Sequence, residues 1–433
     1  MRRRQTRLAV LGAALVMLVA AGCGGGDSGK GSGAEGEIAG DLRVVHNWTG
    51  PEAEAFQAVI AGFQTANPAV TVKLEQVPFE QTQSLLTQQF VQGGAPDVAV
   101  GLPGIVRNFA QQDLLLELDD TWKAWIDGGE YTESMRDIAS AGTDHAYAVY
   151  FKANVNGLIW YTPAKLKEMG IAVPKTWADF TSAMDKAAAA GLAPVAVGGK
   201  DGWPLTQWAD PIILGVAGPE KFNQLARAEI KWNDPAIVKA FETYAKVAKT
   251  YFPKNALGTA FVDATCARAS GKALFQNQGA FISLITPAEC DKTLVPGKDF
   301  NFFKMPQPDA SVAPAQAVSG DLFFGAAETK NESAARALLE YLGSAKAQSI
   351  WAERGGYIAP NAKVSPDVYP NDVDRAAAAL WPASGKTAAG YDLDDWIGGE
   401  VQAKYTQGLQ QLIRDYDVNA FIATMMDVDK RSK

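Results

Sequence analysis

Short apolar runs alternate with amphipathic segments from residue 42 onward, and this alternation predicts strands and helices in turn. We expect strands at Leu42–Val45, Val70–Leu74 and Pro96–Val100, with helices from Pro51 to Asn67 and from Glu80 to Gln92. A β-α-β-α-β order predicts a parallel sheet that helices cover through right-handed connections. Ligands of such sheets bind beyond the carboxyl ends of the strands, which here are residues 46–49, 78–80 and 101–103.

A second block of alternating elements begins near Ala153. Strands are expected at Leu158–Tyr161, Ala193–Val197 and Leu322–Gly325. Helices are expected around Ala164–Met169, at Trp177–Ala190 and Ser333–Leu342, within Pro219–Thr250, and from Asp372 to the end. A chain of 433 residues is too long for one ordinary hydrophobic core. The sequence therefore predicts an α/β protein of two lobes, each with a sheet edge facing a shared cleft.

The first 22 residues combine four arginines with an apolar run that is too short to span a bilayer. The run ends in Ala21-Gly22 before Cys23, which resembles a lipobox, although Ala20 stands where leucine is usual. We therefore predict a lipoprotein signal peptide over residues 1–22 and acylation of Cys23. Ordinary secretion with a leftover thiol is the alternative, and Arg3-Arg4 is a weak hint of twin-arginine export. The Gly-rich stretch that follows cannot bury a core, so residues 23–40 are predicted to form a flexible, lipid-anchored linker.

The net charge, the length of the apolar stretches and the cysteine content limit the classes of protein to which this chain can belong. The formal net charge of −8 argues against nucleic acid as a partner. No later apolar stretch approaches a membrane-spanning length, so the mature part is expected to be soluble, attached to the membrane through its lipid alone. Cys266 and Cys290 form an even pair in an oxidising compartment, where either a disulfide or two buried free thiols would fit.

Catalytic motifs are missing from the sequence. Two isolated histidines, His46 and His145, are too few for a metal cluster, and no Gly-x-Ser-x-Gly motif occurs. The phosphate-loop-like segment at 384–387 lacks the earlier glycine that such a loop needs. The acidic runs at 119–120 and 392–395 are interpreted as solvated helix ends. We therefore expect no catalytic residue, no metal, no cofactor and no enzymatic activity.

Tryptophan supplies the clearest signal for binding. Several of the eleven tryptophans have polar, Gly or Pro neighbours, and Trp48, Trp203 and Trp208 are expected in the cleft. A sugar ring needs a flat aromatic surface for its C–H face and polar side chains for its hydroxyls. Trp160 and Trp177 lie in apolar or helix-start patterns and are expected in the core. A carbohydrate ligand is therefore predicted, and a polyamine or metal is disfavoured because no concentrated acidic or His-rich cluster is apparent.

A series of short markers runs from Val44 to Phe275 in a constant order. They are Val44–Trp48, Asn67–Val72, Gly94–Val98, Tyr147–Asn154, Leu158–Tyr161, Pro174–Phe180 and Gly271–Phe275. In this order the chain resembles extracellular solute-binding proteins of carbohydrate ABC importers, of the maltose-binding-like family. The segments Phe151–Asn154 and Gly202–Trp208 more narrowly resemble the alpha-glucoside-binding branch, with Gln207 in place of the usual acid.

The resemblance implies a two-lobed periplasmic-binding-protein-like fold of type II with the ligand cleft between the lobes. Chain crossings near Ala153, Pro306 and Tyr357 would separate the two lobes. The N-terminal lobe would comprise residues 41–152 plus 306–357, and the C-terminal lobe residues 153–305 plus 358–433. The protein would be a monomer on the extracellular face of the cell membrane, and its closed form would deliver the sugar to the permease of an ABC transporter.

The resemblance also assigns candidate sugar contacts, position by position. They are Asn47, Trp48, Glu80, Trp203, Phe281, Asp321, Arg354 and Trp381, to which the tryptophan pattern adds Trp208. A di- or oligosaccharide is the expected ligand, with the alpha-glucosides as a candidate class. The alternatives are a secreted carbohydrate-active enzyme and a sugar-sensing lipoprotein on the same fold.

Overall fold

The computed structural model describes residues 38–382 and 388–431, and for Glu80, Lys430 and Arg431 it describes only the backbone. The predicted signal peptide 1–22, the acylation site Cys23 and most of the predicted linker lie outside the described residues. The last linker residue, Gly40, already belongs to the first strand.

Ten strands and seventeen helices make up the described chain. The strands are β1 (Gly40–His46), β2 (Val70–Gln76), β3 (Val98–Gly101), β4 (Ala148–Val155), β5 (Leu158–Tyr161), β6 (Ala193–Ala196), β7 (Ala273–Gln278), β8 (Asn301–Lys304), β9 (Ala315–Gly325) and β10 (Ala388–Tyr391). The first helices are α1 (Gly50–Ala66), α2 (Phe79–Gln92), α3 (Pro103–Ala110), α4 (Asp119–Asp127), α5 (Glu133–Ala139), α6 (Pro163–Glu168), α7 (Trp177–Ala189), α8 (Thr206–Ala226) and α9 (Pro235–Tyr251). The remaining helices are α10 (Phe261–Ala269), α11 (Ile282–Ile285), α12 (Glu332–Gly343), α13 (Ala345–Ala352), α14 (Asp372–Ala379), α15 (Leu393–Ile397), α16 (Gly399–Asp415) and α17 (Val418–Arg431).

The first sheet has the order β10-β9-β3-β1-β2, and β4 also pairs with β9. Strand β1 runs parallel to both β2 and β3, so the parallel β-α-β-α-β unit predicted from the sequence is confirmed. Strand β9 lies antiparallel to β3 and β4. Helices dominate the described residues after 372, as the sequence predicts, and one strand that was not predicted, β10, pairs in parallel with β9 at the sheet edge.

The second sheet has the order β6-β7-β5-β8. Strands β6 and β7 are parallel, whereas β5 runs antiparallel to both β7 and β8. Two large hydrophobic cores accompany the two sheets. One packs helices α1 and α12 against the first sheet, and the other is built mainly from α8, α9, α16 and α17. This arrangement agrees with the predicted two-lobed α/β class, while the residue boundaries of the lobes stay a prediction.

The long pair β4 and β9 brings the chain from the first sheet to the second. Its register places Lys152 opposite Asp321 and Asn154 opposite Ser319. Gly320 lies beside this point, and a Cβ atom there would come within 2.4 Å of the Lys152 carbonyl oxygen. Only glycine therefore lets the two strands approach so closely where their polar side chains meet.

Within residues 38–382 and 388–431, no helix combines the length and the apolar character that crossing a bilayer requires.

Cys266 and Cys290 form a disulfide between α10 and the short helical turn at residues 286–290, which confirms the disulfide interpretation of this pair. We expect the Cys266→Ala/Cys290→Ala variant to lower the free energy of unfolding by about 3 kcal/mol, because the bridge restricts a loop of the unfolded chain. Urea denaturation of the variant and the wild type checks this value. Equal unfolding midpoints would show that the bridge contributes nothing to stability.

Candidate functional site

A cavity of about 480 Å³ lies where strands of both sheets end. Asn47 and Trp48 follow β1, Pro78 and Phe79 follow β2, and Leu102 follows β3, and all five line the cavity. The three strand ends named from the sequence therefore line one cavity. From the second sheet, the segments after β6 and β7 contribute Asp201, Trp203 and Phe281. A smaller cavity of about 280 Å³ adjoins it and shares Asn47, Phe79, Leu102, Asp201, Trp203 and Asp394 as lining residues.

Three half-buried aromatic rings form one wall of the cavity. The Trp203 ring lies 4.9 Å from the Phe261 ring and 6.1 Å from the Phe281 ring, centroid to centroid. Phe261 is fixed by its backbone N–H, which donates to the Asp201 carboxylate over 2.6 Å. Trp203 begins a short 3-10 turn directly after Gly202, whose positive φ of 80° favours glycine. These contacts hold a flat aromatic surface toward the cavity, as a stacking site for a sugar requires.

A lysine and a glutamate that both line the cavity form an ion pair next to Phe281. The Lys152 ammonium donates to the Glu52 carboxylate, and the two side chains are only 8% and 15% exposed. The ammonium also lies over three rings, 5.1 Å from the Trp351 centroid and 5.8 Å from the Trp48 and Phe281 centroids. Aromatic faces and one carboxylate thus replace water around this cation.

Asp321 projects from β9 beside this ion pair and lines the same cavity. Burial raises the pKa of Asp321 to about 6, while Lys152 lowers it, Glu52 raises it, and a hydrogen bond from Trp48 lowers it. The group can therefore accept hydrogen bonds as a carboxylate at neutral pH, and it takes up a proton in mildly acidic solution.

A cluster of carboxylates surrounds the start of α15. Asp392, Asp394 and Asp395 are 1%, 4% and 9% exposed, and all three line the cavity. The interpretation of residues 392–395 as a solvated helix end is therefore wrong, and so is the premise that no concentrated acidic cluster exists. Helix α15 packs against α8 and α3, which buries the turn that the sequence pattern alone would leave in water.

Asp210 of α8 completes this cluster. Carboxylate oxygens of Asp210, Asp392 and Asp394 lie within 4.8 Å of one another. The Tyr405 hydroxyl and the Leu393 N–H donate to Asp210 over 2.6 and 2.7 Å. The Asn156 amide donates to Asp392 over 2.6 Å. Such a spacing is compatible with shared protons or with a divalent cation held by oxygen ligands.

Burial is the main reason why the pKa values in this cluster are high. It raises the pKa of Asp394 to about 6 and the pKa of Asp392 well above its usual range, to which the neighbouring Asp210 adds repulsion. Burial raises the pKa of Asp210 and Asp395 as well. Four carboxyl groups at one end of the cavity therefore destabilise the folded protein when they ionise.

We expect Asp394→Asn to be more stable than the wild type above about pH 6, by roughly 2 to 3 kcal/mol. A carboxyl group whose pKa is raised on folding stabilises the protein below its unfolded pKa of 3.8, and that contribution is lost as the pH rises through about 6. The asparagine variant has no carboxyl group at this position, so its stability does not fall for this reason as the pH rises. Urea denaturation of ligand-free protein from pH 4 to pH 8 measures the difference between the two proteins. A difference that does not shrink toward pH 4 would contradict the assignment.

Three of the site residues predicted from the sequence, Trp208, Arg354 and Trp381, do not line either cavity. For a fourth, Glu80, the structure describes only the backbone. Trp208 is 1% exposed and packs edge-on against Phe252 in the second core. Arg354 is exposed, follows the end of α13 and donates to the Ile350 carbonyl in that helix. Trp381 packs edge-on against Tyr150, and the side chain of Glu80 lies outside the described residues although Phe79 beside it lines the cavity.

Sequence reasoning missed several lining residues that the fold brings in. Lys152 lies in the segment Tyr147–Asn154, which indicates a family resemblance but not a role for the lysine. The sequence around Phe261 has no pattern that predicts a binding role. Asp394 had a usable signal, because it stands in an acidic run directly before Trp396. Burial of that run depends on distant segments, so only the structure shows it.

The polar atoms around the cavity are mainly hydrogen-bond acceptors. Asn47 Oδ1, Gln207 Oε1, Asp392 Oδ1 and Asp394 Oδ1 are buried and have no hydrogen-bond partner within the described chain. Unpartnered buried acceptors are costly, so a ligand that supplies several donors would bind favourably there. Together with the aromatic wall, this arrangement suits a molecule that has an apolar face and many hydroxyl or amino groups.

Known proteins are similar to this chain in sequence. A family model described as bacterial extracellular solute-binding protein matches residues 48–349. The alpha-glucosides-binding periplasmic protein AglE of Rhizobium meliloti (strain 1021) is 28% identical over 407 residues, which cover 86% of each protein. The osmoprotective compounds-binding protein GgtB of Synechocystis sp. (strain ATCC 27184 / PCC 6803 / Kazusa) is 26% identical over 322 residues, 71% of this chain and 74% of GgtB.

A solved structure shares the fold. The bacterial solute receptor AcbH, described as having an exclusive preference for b-D-galactopyranose, matches with a TM-score of 0.80. The match covers 90% of this chain and 98% of AcbH at 23% sequence identity. The predicted two-lobed fold class is thereby confirmed.

Proposed function

The chain belongs to the bacterial extracellular solute-binding protein family, and on that premise we propose that it is the sugar-binding component of an ABC importer, anchored to the outside of the cell membrane. Its ligand is a di- or oligosaccharide, which it delivers to the membrane permease after the lobes close. The alpha-glucoside class is the first candidate, because AglE is similar over 86% of this chain.

The combination of an aromatic wall with polar lining residues in one cavity carries this proposal. Trp203, Phe261 and Phe281 offer apolar faces for sugar rings, and Asp321, which lines the same cavity, accepts from hydroxyl groups. A cavity of about 480 Å³ between two sheets is large enough for a ligand beyond a single small ion. The family contains binding proteins rather than enzymes, and the arrangement calls for no bond-breaking step.

A panel of mono-, di- and oligosaccharides tested by thermal shift on the purified protein examines the proposal. A ligand raises the melting temperature by an amount set by its concentration relative to its Kd. A selective rise with maltose, trehalose or another alpha-glucoside supports the alpha-glucoside class, and a rise with another sugar corrects the ligand alone. A well-folded protein with no response to any sugar, or one that hydrolyses them on long incubation, contradicts the proposal.

Membrane anchoring rests on Cys23, which follows the signal-like segment. In cells that express the whole chain, Cys23→Ala is expected to release the protein into the medium or periplasm, since the acyl chains provide the attachment. Radiolabelled palmitate should enter the wild type and not the variant. Equal labelling of both proteins would place the attachment elsewhere.

A further inference from the structure

Acidic residues greatly outnumber basic residues among the described residues that line the main cavity. Of the described residues that line it, seven carry a carboxyl group and one, Lys152, carries a positive charge. The seven are Glu52, Asp201, Glu289, Asp321, Asp392, Asp394 and Asp395. Lys152 is paired with Glu52 and also lowers the pKa of Asp321, which leaves the other five carboxyl groups without a cation among the described lining residues. Whenever these carboxyl groups ionise, a neutral sugar leaves their negative charge without a counterion.

The excess is concentrated at the end of the cavity formed by α15 and α8. Asp392 and Asp394 line the cavity there, and Asp210 lies directly behind them. Asp392 Oδ1 and Asp394 Oδ1 are both buried without a donor, and so is Gln207 Oε1, whose amide Nε2 donates to Asp392 over 3.2 Å. Three buried oxygen atoms without an assigned donor among the described residues therefore belong to side chains that line the same part of the cavity.

Buried carboxyl groups have two ways to lower their energy. They can hold protons, which is the direction in which burial moves their pKa values, or they can gain a cation. A ligand that carries its own cation would replace those protons and would supply the missing donors at the same time. An ammonium group has three donors and no acceptor, which fits acceptors that have no partner.

From this geometry we propose that the ligand is a sugar carrying a protonated amino group, which binds between Asp392 and Asp394 beside Gln207. The inference rests on the proposed sugar-binding function and names the chemical class of the ligand. Trp203 and Asp394 both line the junction of the two cavities. A sugar ring stacked on Trp203 can therefore present an amino substituent to the carboxylates without leaving the aromatic wall.

Matched pairs of sugars that differ only in one amino group test the inference by isothermal titration calorimetry on the purified protein. The pairs are glucose and glucosamine, galactose and galactosamine, and trehalose and trehalosamine. N-acetylglucosamine serves as a neutral substituent of larger size. At about pH 6.5, where such amines are protonated, we expect the amino member of at least one pair to bind about tenfold more tightly or better. Titrations in buffers with different ionisation enthalpies should show proton release with the amine only.

Two variants locate the effect. Asp394→Asn should weaken binding of the amino member much more than binding of its neutral partner, so that most of the preference for the amine is lost. Asp374→Asn is the matched control, because Asp374 is also a buried carboxyl group with a raised pKa but does not line either cavity. It should leave the preference unchanged even if it alters stability.

The possible results separate the two proposals. Equal or tighter binding of the neutral partner in every pair overturns the amino-sugar inference and leaves the sugar-receptor function standing. Failure of every sugar to bind a folded protein overturns the function itself. If Ca²⁺ or Tb³⁺ binds at the carboxylate cluster and the amine does not compete with it, the cluster is a metal site and the inference is wrong.

Discussion

Trp203→Ala is expected to weaken sugar binding by at least about 30-fold, because the loss of a central aromatic anchor typically costs about 2 kcal/mol or more. The ring is half-buried, lies against Phe261 and Phe281, and lines both cavities. Its removal takes away the flat surface against which a sugar ring packs and lets water into the junction. Titration calorimetry with the sugar that responds best in the thermal-shift panel measures the change in Kd.

Two further variants separate binding from folding. Trp203→Phe keeps a smaller flat ring and should retain most of the affinity. Trp177→Ala removes a tryptophan that packs on Phe180, away from both cavities, and should lower the melting temperature without changing Kd. Unchanged affinity in Trp203→Ala would remove this residue from the sugar site and weaken the stacking argument as a whole.

The parts of the fold with strong local patterns were predictable from the sequence. Strands β1 to β3 and the helices between them follow from apolar periodicity and from the prolines and glycines that end each segment. Once these strands are parallel, their carboxyl ends must meet, which brings Asn47, Phe79 and Leu102 to one cavity.

The acidic end of the cavity was not predictable in the same way. A run such as Asp392-Leu393-Asp394-Asp395 looks like the solvated start of a helix, and its burial depends on α8, which lies about 180 positions earlier in the chain. No feature of the sequence around Asp210 distinguishes it from an aspartate on the surface. Burial of charge is a property of tertiary packing, so local sequence carries little information about it.

Trp208 shows how a motif can indicate the right segment and the wrong side chain. Its neighbours in α8, Gln207 and Asp210, are three positions apart and share a helix face that meets the carboxylate cluster. Trp208 is turned about 100° from Gln207 on the helix and packs into the second core. The polar residues that flank Trp208 in the sequence therefore lie on a different face of the helix from Trp208 itself.

Lys152→Met is expected to lower the free energy of unfolding by about 3 to 5 kcal/mol at neutral pH, because it leaves a largely buried Glu52 without its cation. The loss should be smaller in acid. Lys152 lowers the pKa of Asp321, so its removal raises that pKa further, and a carboxyl group with a raised pKa destabilises the fold only as the pH rises through that value. Urea denaturation at about pH 5 and pH 7.5 measures both effects.

The double variant Glu52→Gln/Lys152→Met tests whether the lost stability comes from unpaired charge. It removes both charges and should recover most of the stability, because replacement of a whole buried pair is often nearly neutral. Lys123→Met breaks the exposed pair with Asp127 and should leave the unfolding curve unchanged within error. If the double variant is as unstable as Lys152→Met, the stability comes instead from the packing of the lysine chain against Trp351, Trp48 and Phe281. In that case the aromatic surroundings, rather than Glu52, hold the only positive charge among the described lining residues in place.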